Sequence, residues 1–103
     1  MAVADQPELS QKVKNQLATA KLPASGAHPF RPRLTKNKKG EMIVERAEAR
    51  NAPSAQAGKM GWVDLDGRIW IRDRAHAGLP DHWDVQEDDG ATYFRVDFDG
   101  NLL

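Results

Sequence analysis

The sequence contains no cysteine. Without thiols, the chain has no disulfide framework and no thiolate zinc site. It also lacks any apolar run near the roughly 20 residues that a membrane-spanning helix requires. Its first residues lack the basic start and apolar run of a secretory signal. We therefore expect a soluble protein that acts in a cytoplasm and has no membrane partner.

The chain also lacks a net charge, but its charges are unevenly distributed. Residues 1–60 carry eleven Lys and Arg against five Asp and Glu, whereas residues 61–103 carry four against ten. A basic half favours contact with phosphates, and an acidic half favours carboxylate chemistry or solvated turns. The two halves can also attract each other within the fold.

The N-terminal part is expected to hold one helix and one extended arm. Residues 5–20 predict a helix with Asp5 as its N-cap, and an apolar stripe that docks on the domain or on a partner: Leu9, Val13 and Leu17. In residues 28–33, two prolines force an extended path, and lysines follow downstream. This basic arm is either a strap along a phosphate backbone or a solvated linker. A short strand is expected at residues 41–46.

The C-terminal part predicts a series of strands joined by tight turns. Residues 62–64 and 69–72 are β-branched and aromatic runs around Asp66-Gly67, which is typical of a hairpin. Further strands are expected at residues 82–86 and 91–97. The fold class is therefore mainly β (α+β). We expect an N-terminal helix and arm in residues 1–58, and a highly twisted antiparallel sheet of four to five strands in residues 59–103, within one domain.

The loop at residues 73–81 carries the candidate chemistry, because it delivers Asp73, His76 and Asp81 between two strands. A histidine near neutral pKa can give or take a proton, and its carboxylate neighbours can orient it or take the opposite role. The loop contains no Ser or Cys, which disfavours covalent acyl transfer and peptidase chemistry. The set therefore suits a substrate that supplies its own nucleophile.

RNA is such a substrate, because its 2′-hydroxyl can attack the adjacent phosphate once a base removes the proton. This reaction needs no metal and no cofactor, but it needs a cation for the charge that builds on the phosphate. The cation candidates are Arg72, Arg74, Arg95 and Lys59. The candidates for stacking an unpaired base are Trp70, Trp83 and Tyr93.

Two other interpretations compete with this one. A metal site could draw on His76, Asp81, His82 and Asp84, and the alternation of residues 82–84 would place His82 and Asp84 on one face of a strand. His82 also fits an ordinary polar strand residue, and Trp62 and Trp70 fit the core. A non-catalytic protein–protein interaction module could instead use the acidic sheet or the helix stripe.

Pieces of the chain resemble the cytotoxic ribonuclease domain of the colicins that cleave small-subunit ribosomal RNA. The matching residues are Trp62, Gly67-Arg68, Ile69-Trp70, Asp73, His76, Asp81 and Trp83, followed by turns at Asp89-Gly90 and residues 98–101. The resemblance implies a twisted antiparallel sheet with a short helix. It also implies a monomer that acts on the ribosome in a bacterial cytoplasm, an acidic immunity protein as partner, and delivery as the C-terminal part of a secreted toxin.

The resemblance also implies roles for the loop residues. His76 and Asp81 would divide the acid and base roles, and Asp73 would orient and charge the pair. Asp81 stands where the family has Glu, so His82 is an alternative second proton carrier. The family's catalytic arginine lies in a basic tail without a counterpart here, so Arg95 or Arg74 would stand in.

Overall fold

In a computed structural model, which describes residues 9–49, 58–74, 77–87 and 92–103, the chain is mainly β. The described part holds one helix and seven strands: α1 (Gln11–Ala20), β1 (Leu34–Lys36), β2 (Met42–Val44), β3 (Arg46–Glu48), β4 (Met60–Val63), β5 (Ile69–Asp73), β6 (His82–Gln86) and β7 (Tyr93–Asp97). Strands β1 and β2 form a small antiparallel sheet. Strands β3 to β7 form a five-stranded antiparallel sheet in sequence order. The predicted fold class, meander and strand number are confirmed.

Helix α1 begins later than the sequence predicted. Ser10 is its N-cap, with an extended backbone and a hydroxyl that accepts a hydrogen bond of 3.2 Å from the Val13 amide. The prediction of Asp5 as N-cap is therefore wrong, because the Ser10 hydroxyl satisfies a first-turn amide instead. Residues 5–8 lie outside the described part of the chain.

The apolar stripe of α1 packs on the protein itself. Val13 is fully buried, and Leu9 and Leu17 pack against the same cluster. This cluster also contains residues from three strands of the large sheet: Trp70, Trp83, Val85 and Val96. Of the two predicted roles of the stripe, docking on the domain is therefore confirmed and docking on a partner is wrong. Trp70 lies in the core as predicted, whereas Trp62 is only partly buried and packs at its margin.

The extended path of residues 28–33 is confirmed, but the segment is packed rather than free. Phe30 is buried, with its ring 5.2 Å from that of Trp70. The Arg33 amide donates to the Val63 carbonyl at 3.0 Å, and Pro32 pairs with Asp64 in an isolated bridge. The arm is therefore not a solvated linker, because Pro32 and Phe30 are buried. Its contact with a phosphate backbone stays a prediction.

The strand predicted at residues 41–46 is two strands in two sheets. Chain direction changes at Glu45, whose amide donates to Arg33 O at 2.7 Å and whose carbonyl accepts from Val63 N at 2.9 Å. Strand β2 thus pairs with β1, while β3 pairs with β4. The large sheet therefore includes residues from the N-terminal part as well as the C-terminal part.

The register of β5 and β6 separates two faces of the large sheet. Trp70 lies opposite Val85, and Asp73 lies opposite His82. Because directly opposed residues share a face, one face carries tryptophans toward α1, and the other carries Asp73, His82 and Asp84. The second face also carries an apolar cluster, Val63, Ile69 and Ile71, in which Ile71 lies directly opposite Asp84. Within the described ranges, no helix combines the length and apolar character needed to cross a membrane.

Candidate functional site

The β5–β6 loop, residues 74–81, lies where the sequence predicted a loop between two strands. Strand β5 ends at Asp73 and β6 begins at His82. Ala77 and Gly78 have φ values of 48° and 80°, which end the extended path. Asp81 is exposed at the end of the loop. His76 lies outside the described residues, so its catalytic role stays a prediction.

The best-defined polar feature of this region is the imidazole of His82. Its Nδ1 lies 2.7 Å from the carbonyl oxygen of Pro80. Its Nε2 lies 3.3 Å from Asp84 Oδ1 and 3.5 Å from Asp73 Oδ2. A carbonyl can only accept, so Nδ1 carries a hydrogen. Nε2 is therefore the ring atom that faces both carboxylates.

Arg95 completes the His82 cluster, by which we mean Asp73, His82, Asp84 and Arg95. Its Nε lies 3.5 Å from Asp84 Oδ1. The cluster therefore places two carboxylates beside an imidazole and a guanidinium, so acidic and basic side chains alternate within it. Such balance matters because a buried charge without a partner is costly.

The cluster is buried at its centre and reaches solvent at its edges. The His82 side chain is 0% exposed and that of Asp84 is 4% exposed, whereas those of Asp73 and Arg95 are 27% and 37% exposed. A substrate can therefore reach Asp73 and Arg95. The alternative in which His82 itself exchanges a proton with the substrate is disfavoured, because the ring has no exposed surface.

The same residues can hold a divalent cation when Nε2 carries no proton. One ligand atom from each of Asp73, His82 and Asp84 lies within 4.8 Å of the others. A histidine that donates from Nδ1 to a backbone carbonyl often ligates a metal through Nε2. Of the predicted metal ligands, His82 and Asp84 are brought together, but Asp73 joins them in place of Asp81.

The predicted base-stacking residues divide into two groups. Trp70 and Trp83 are buried in the core, and their indole N–H groups donate to Asp64 Oδ2 at 2.9 Å and to Lys21 O at 3.2 Å. They are wrong as stacking candidates because both rings face α1. Tyr93 is 44% exposed, and the Arg95 guanidinium lies 5.6 Å from its ring. Tyr93 is thus available to an unpaired base.

The predicted cations also fall in different places. Arg95 belongs to the cluster, and Arg74 is exposed at the start of the loop. Arg72 lies on the opposite face, where its guanidinium is 5.3 Å from the Phe98 ring, so it is wrong as a cation for this site. Lys59 is exposed just before β4.

Asp84 is the candidate residue that sequence reasoning undervalued. It was named only as a possible metal ligand, yet its Oδ1 lies near both His82 and Arg95. The alternation of polar and apolar residues over His82–Gln86 was the available signal, because it places the polar side chains on one face. The proximity of Asp73 to His82 depends on the register between β5 and β6, so it could not be predicted from the sequence of β6 alone.

Comparisons with family models, with curated proteins and with solved structures found no match to this chain. The likeness to the colicin ribonuclease domain consequently rests on short pieces of sequence, and the geometry of the His82 cluster is the main basis for a functional proposal.

Proposed function

We propose that the protein is an endoribonuclease that cleaves RNA through its own 2′-hydroxyl, with general acid–base catalysis and without a metal. The observation that carries this proposal is the His82 cluster at the base of the β5–β6 loop. It supports the proposal because a partly exposed carboxylate, Asp73, and a partly exposed guanidinium, Arg95, lie next to the loop that carries His76 and Asp81.

The reaction makes three demands on the site. A base removes the 2′-hydroxyl proton, the resulting oxygen attacks phosphorus, and the bond from phosphorus to the 5′ oxygen breaks. An acid protonates the departing 5′ oxygen, which leaves a 2′,3′-cyclic phosphate and a 5′-hydroxyl. A cation stabilises the negative charge that grows on the phosphoryl oxygens.

The loop residues meet the first two demands. In this proposal His76 and Asp81 divide the base and acid roles, and Asp73 orients the pair from the end of β5. Asp73 suits that role because its Oδ1 accepts from the Arg74 amide at 2.9 Å while its Oδ2 lies toward His82. Its carboxylate is thereby fixed where the loop begins.

The cation and the contact with the base are assigned to β7 and to the loop. Arg95 and the exposed Arg74 are placed to meet phosphate oxygens, and Tyr93 can stack a base beside Arg95. Sequence-tolerant stacking of this kind suits an unpaired stretch of RNA.

The target and partner follow from the resemblance. We propose small-subunit ribosomal RNA as the substrate, an acidic immunity protein as the neutralising partner, and action in the bacterial cytoplasm as the C-terminal part of a delivered toxin. The exposed Arg74 and the partly exposed Arg95 are cations that such an acidic partner would cover.

The test is expression of three proteins in bacteria, followed by inspection of total RNA on a gel. The wild type and the control His28→Ala should arrest growth and yield a discrete ribosomal RNA fragment, and His76→Ala should do neither. His28 is a matched control because its ring lies against Phe94, 5.7 Å away, on the sheet face opposite His82.

Chelation supplies the second arm of the test. The purified wild type should cleave RNA equally well with and without EDTA. Intact RNA at high protein concentration under both conditions would reject the ribonuclease and favour the non-catalytic interaction module. Activity lost in EDTA and restored by a divalent ion would instead favour a metal-dependent nuclease.

A further inference from the structure

We propose that His82, supported by Asp84, is a positioning residue that ties together the two ends of the β5–β6 loop and thereby sets the placement of its catalytic side chains. The pair is called the loop latch below. The inference rests on the proposed function where it concerns catalysis, but its structural part can be tested without any activity.

The first argument is that one imidazole contacts both ends of the same loop. Nδ1 lies 2.7 Å from the carbonyl oxygen of Pro80, next to the end of the loop. Nε2 lies 3.5 Å from Asp73 Oδ2, at the residue before the loop. The other oxygen of Asp73 accepts from the Arg74 amide at 2.9 Å. The ring therefore joins the segment that enters the loop to the segment that leaves it.

The second argument is burial. The His82 side chain has no exposed surface, and Asp84 Oδ1 lies 3.3 Å from its Nε2. A buried ring with Nδ1 hydrogen-bonded to a carbonyl and Nε2 within 3.5 Å of two carboxylates has few alternative rotamers. In addition, the β6 backbone that carries it pairs with β5 and β7 on either side. The latch is thus fixed to the centre of the sheet.

The third argument is the charge that surrounds the ring. On the face that carries His82, the charged groups of the packed strands are Asp73 from β5, Asp84 from β6, and Arg95 and Asp97 from β7. Asp97 lies opposite His82, but its Oδ1 accepts from the amides of Asp99 and Asn101 at 2.9 Å each. Asp84, flanked by His82 and Arg95, is the carboxylate that supports the ring from its own strand.

The catalytic consequence follows from the demands of acid–base chemistry on distance. Displacing reacting groups by about 1 Å can cost on the order of 100-fold in rate. If the latch positions the loop, its loss should lower kcat while leaving substrate binding nearly intact, because Tyr93 and Arg95 bind RNA from β7.

Two variants each remove half of the latch. His82→Asn keeps a donor near the position of Nδ1 and loses the contact with Asp73. His82→Gln keeps a donor near the position of Nε2 and loses the contact with Pro80. We expect each to lower kcat about 100-fold with KM changed by no more than about threefold. Asp84→Asn retains the side-chain shape, so its kcat should lie between those of the two His82 variants and that of the wild type.

Val63→Ala is the matched control for lost stability. Val63 is fully buried on the same sheet face, in the apolar cluster with Ile69 and Ile71. It should lower the melting temperature without changing kcat at a temperature where the protein is folded. A latch variant that behaves like Val63→Ala, with lost stability and unchanged kcat, would overturn the proposal.

Amide hydrogen exchange gives the readout that needs no activity. In both His82 variants, residues 74–81 should exchange at least about tenfold faster than in Val63→Ala, while β4 and β7 keep their protection. Unchanged exchange in the loop refutes the latch even if the protein cleaves RNA. Faster exchange in a protein that leaves RNA intact supports the latch and rejects the ribonuclease. Tight binding of one zinc ion per chain, abolished by His82→Asn, would replace the latch with a metal centre.

Discussion

Asp64 shows how much structure one side chain can determine. Its Oδ1 accepts from the amides of Asp66 and Arg68, both at 2.9 Å, and its Oδ2 accepts from the indole of Trp70 at 2.9 Å. It thus closes the β4–β5 turn and satisfies a buried donor in the core. The Asp66-Gly67 dipeptide predicted this turn, and Gly67 has the expected positive φ of 83°. Nothing local in the sequence indicated that Asp64 also serves the core.

This double role makes Asp64 more important for stability than an ordinary turn residue. Asp64→Ala should lower the free energy of unfolding by about 2–4 kcal/mol, because the buried indole N–H loses its partner together with two turn amides. Urea denaturation measures the change.

Asp97 is the matched control for this prediction. Its Oδ1 accepts from the amides of Asp99 and Asn101 at 2.9 Å each, in the same turn geometry, and no buried indole is attached to it in the described contacts. Asp97→Ala should therefore cost only about 1 kcal/mol. Equal losses in the two variants would show that the bond to Trp70 contributes little.

At the scale of elements, the strands of the C-terminal part were the most predictable. Residues 82–86 form β6 with the predicted bounds, and the predicted hairpin corresponds to β4 and β5. These strands combine β-branched and aromatic residues with clear turn signals, so local chemistry and tertiary structure agree. The polar face of β6 was visible for the same reason.

The elements that the sequence missed, or predicted as one strand at residues 41–46 in place of two, are those that depend on distant contacts. Strands β1, β2 and β3 have three residues each, which is too short for a period-two pattern. The division at Glu45 arises from hydrogen bonds to Arg33 and Val63, which are far away in sequence. The His82 cluster likewise needs the register of three strands, and a sequence gives no direct measure of register.

The start of α1 offers a test at the same scale. Ser10→Ala should lower the free energy of unfolding by about 1 kcal/mol, because the Val13 amide loses the hydroxyl that caps it. Ser10→Asp should restore most of this loss. Asp5→Ala, which removes the cap that the sequence suggested, should leave the denaturation midpoint unchanged. A larger loss from Asp5→Ala than from Ser10→Ala would contradict the observed helix start.

At the scale of the whole molecule, the two halves of opposite charge meet largely through apolar contacts. Val13 and Phe30 from the basic half lie in the same cluster as Trp70 and Trp83 from the acidic half. The ion pairs Lys12–Glu41 and Arg33–Glu45 instead join residues within the basic half. Within the acidic half, Arg68 donates to Glu87 at 2.7 Å, and this hydrogen bond raises the pKa of Arg68. Each half thus neutralises part of its own charge through ion pairs between its own residues.

Both faces of the large sheet are buried at their centres, so among the described residues only the edge of the second face is accessible to a ligand. The N-terminal helix and arm cover the face that carries Trp70 and Trp83. The His82 cluster, Tyr93 and the β5–β6 loop belong to the other face and its edge. If the protein is a ribonuclease, RNA should therefore contact the accessible edge of this second face, at Tyr93, Arg95 and Arg74, and cations of the opposite face should contribute little.

Binding of an unpaired RNA oligonucleotide in the His76→Ala background tests this expectation without cleavage. Tyr93→Leu should weaken binding by about 1–3 kcal/mol and leave the salt dependence unchanged, because it removes stacking rather than charge. Arg74→Gln should reduce the slope of log affinity against log salt by about one. Arg46→Gln is the matched cation control, because Arg46 lies over the Trp62 ring at 3.9 Å on the opposite face. An effect of Arg46→Gln as large as that of Arg74→Gln would place the RNA elsewhere on the molecule.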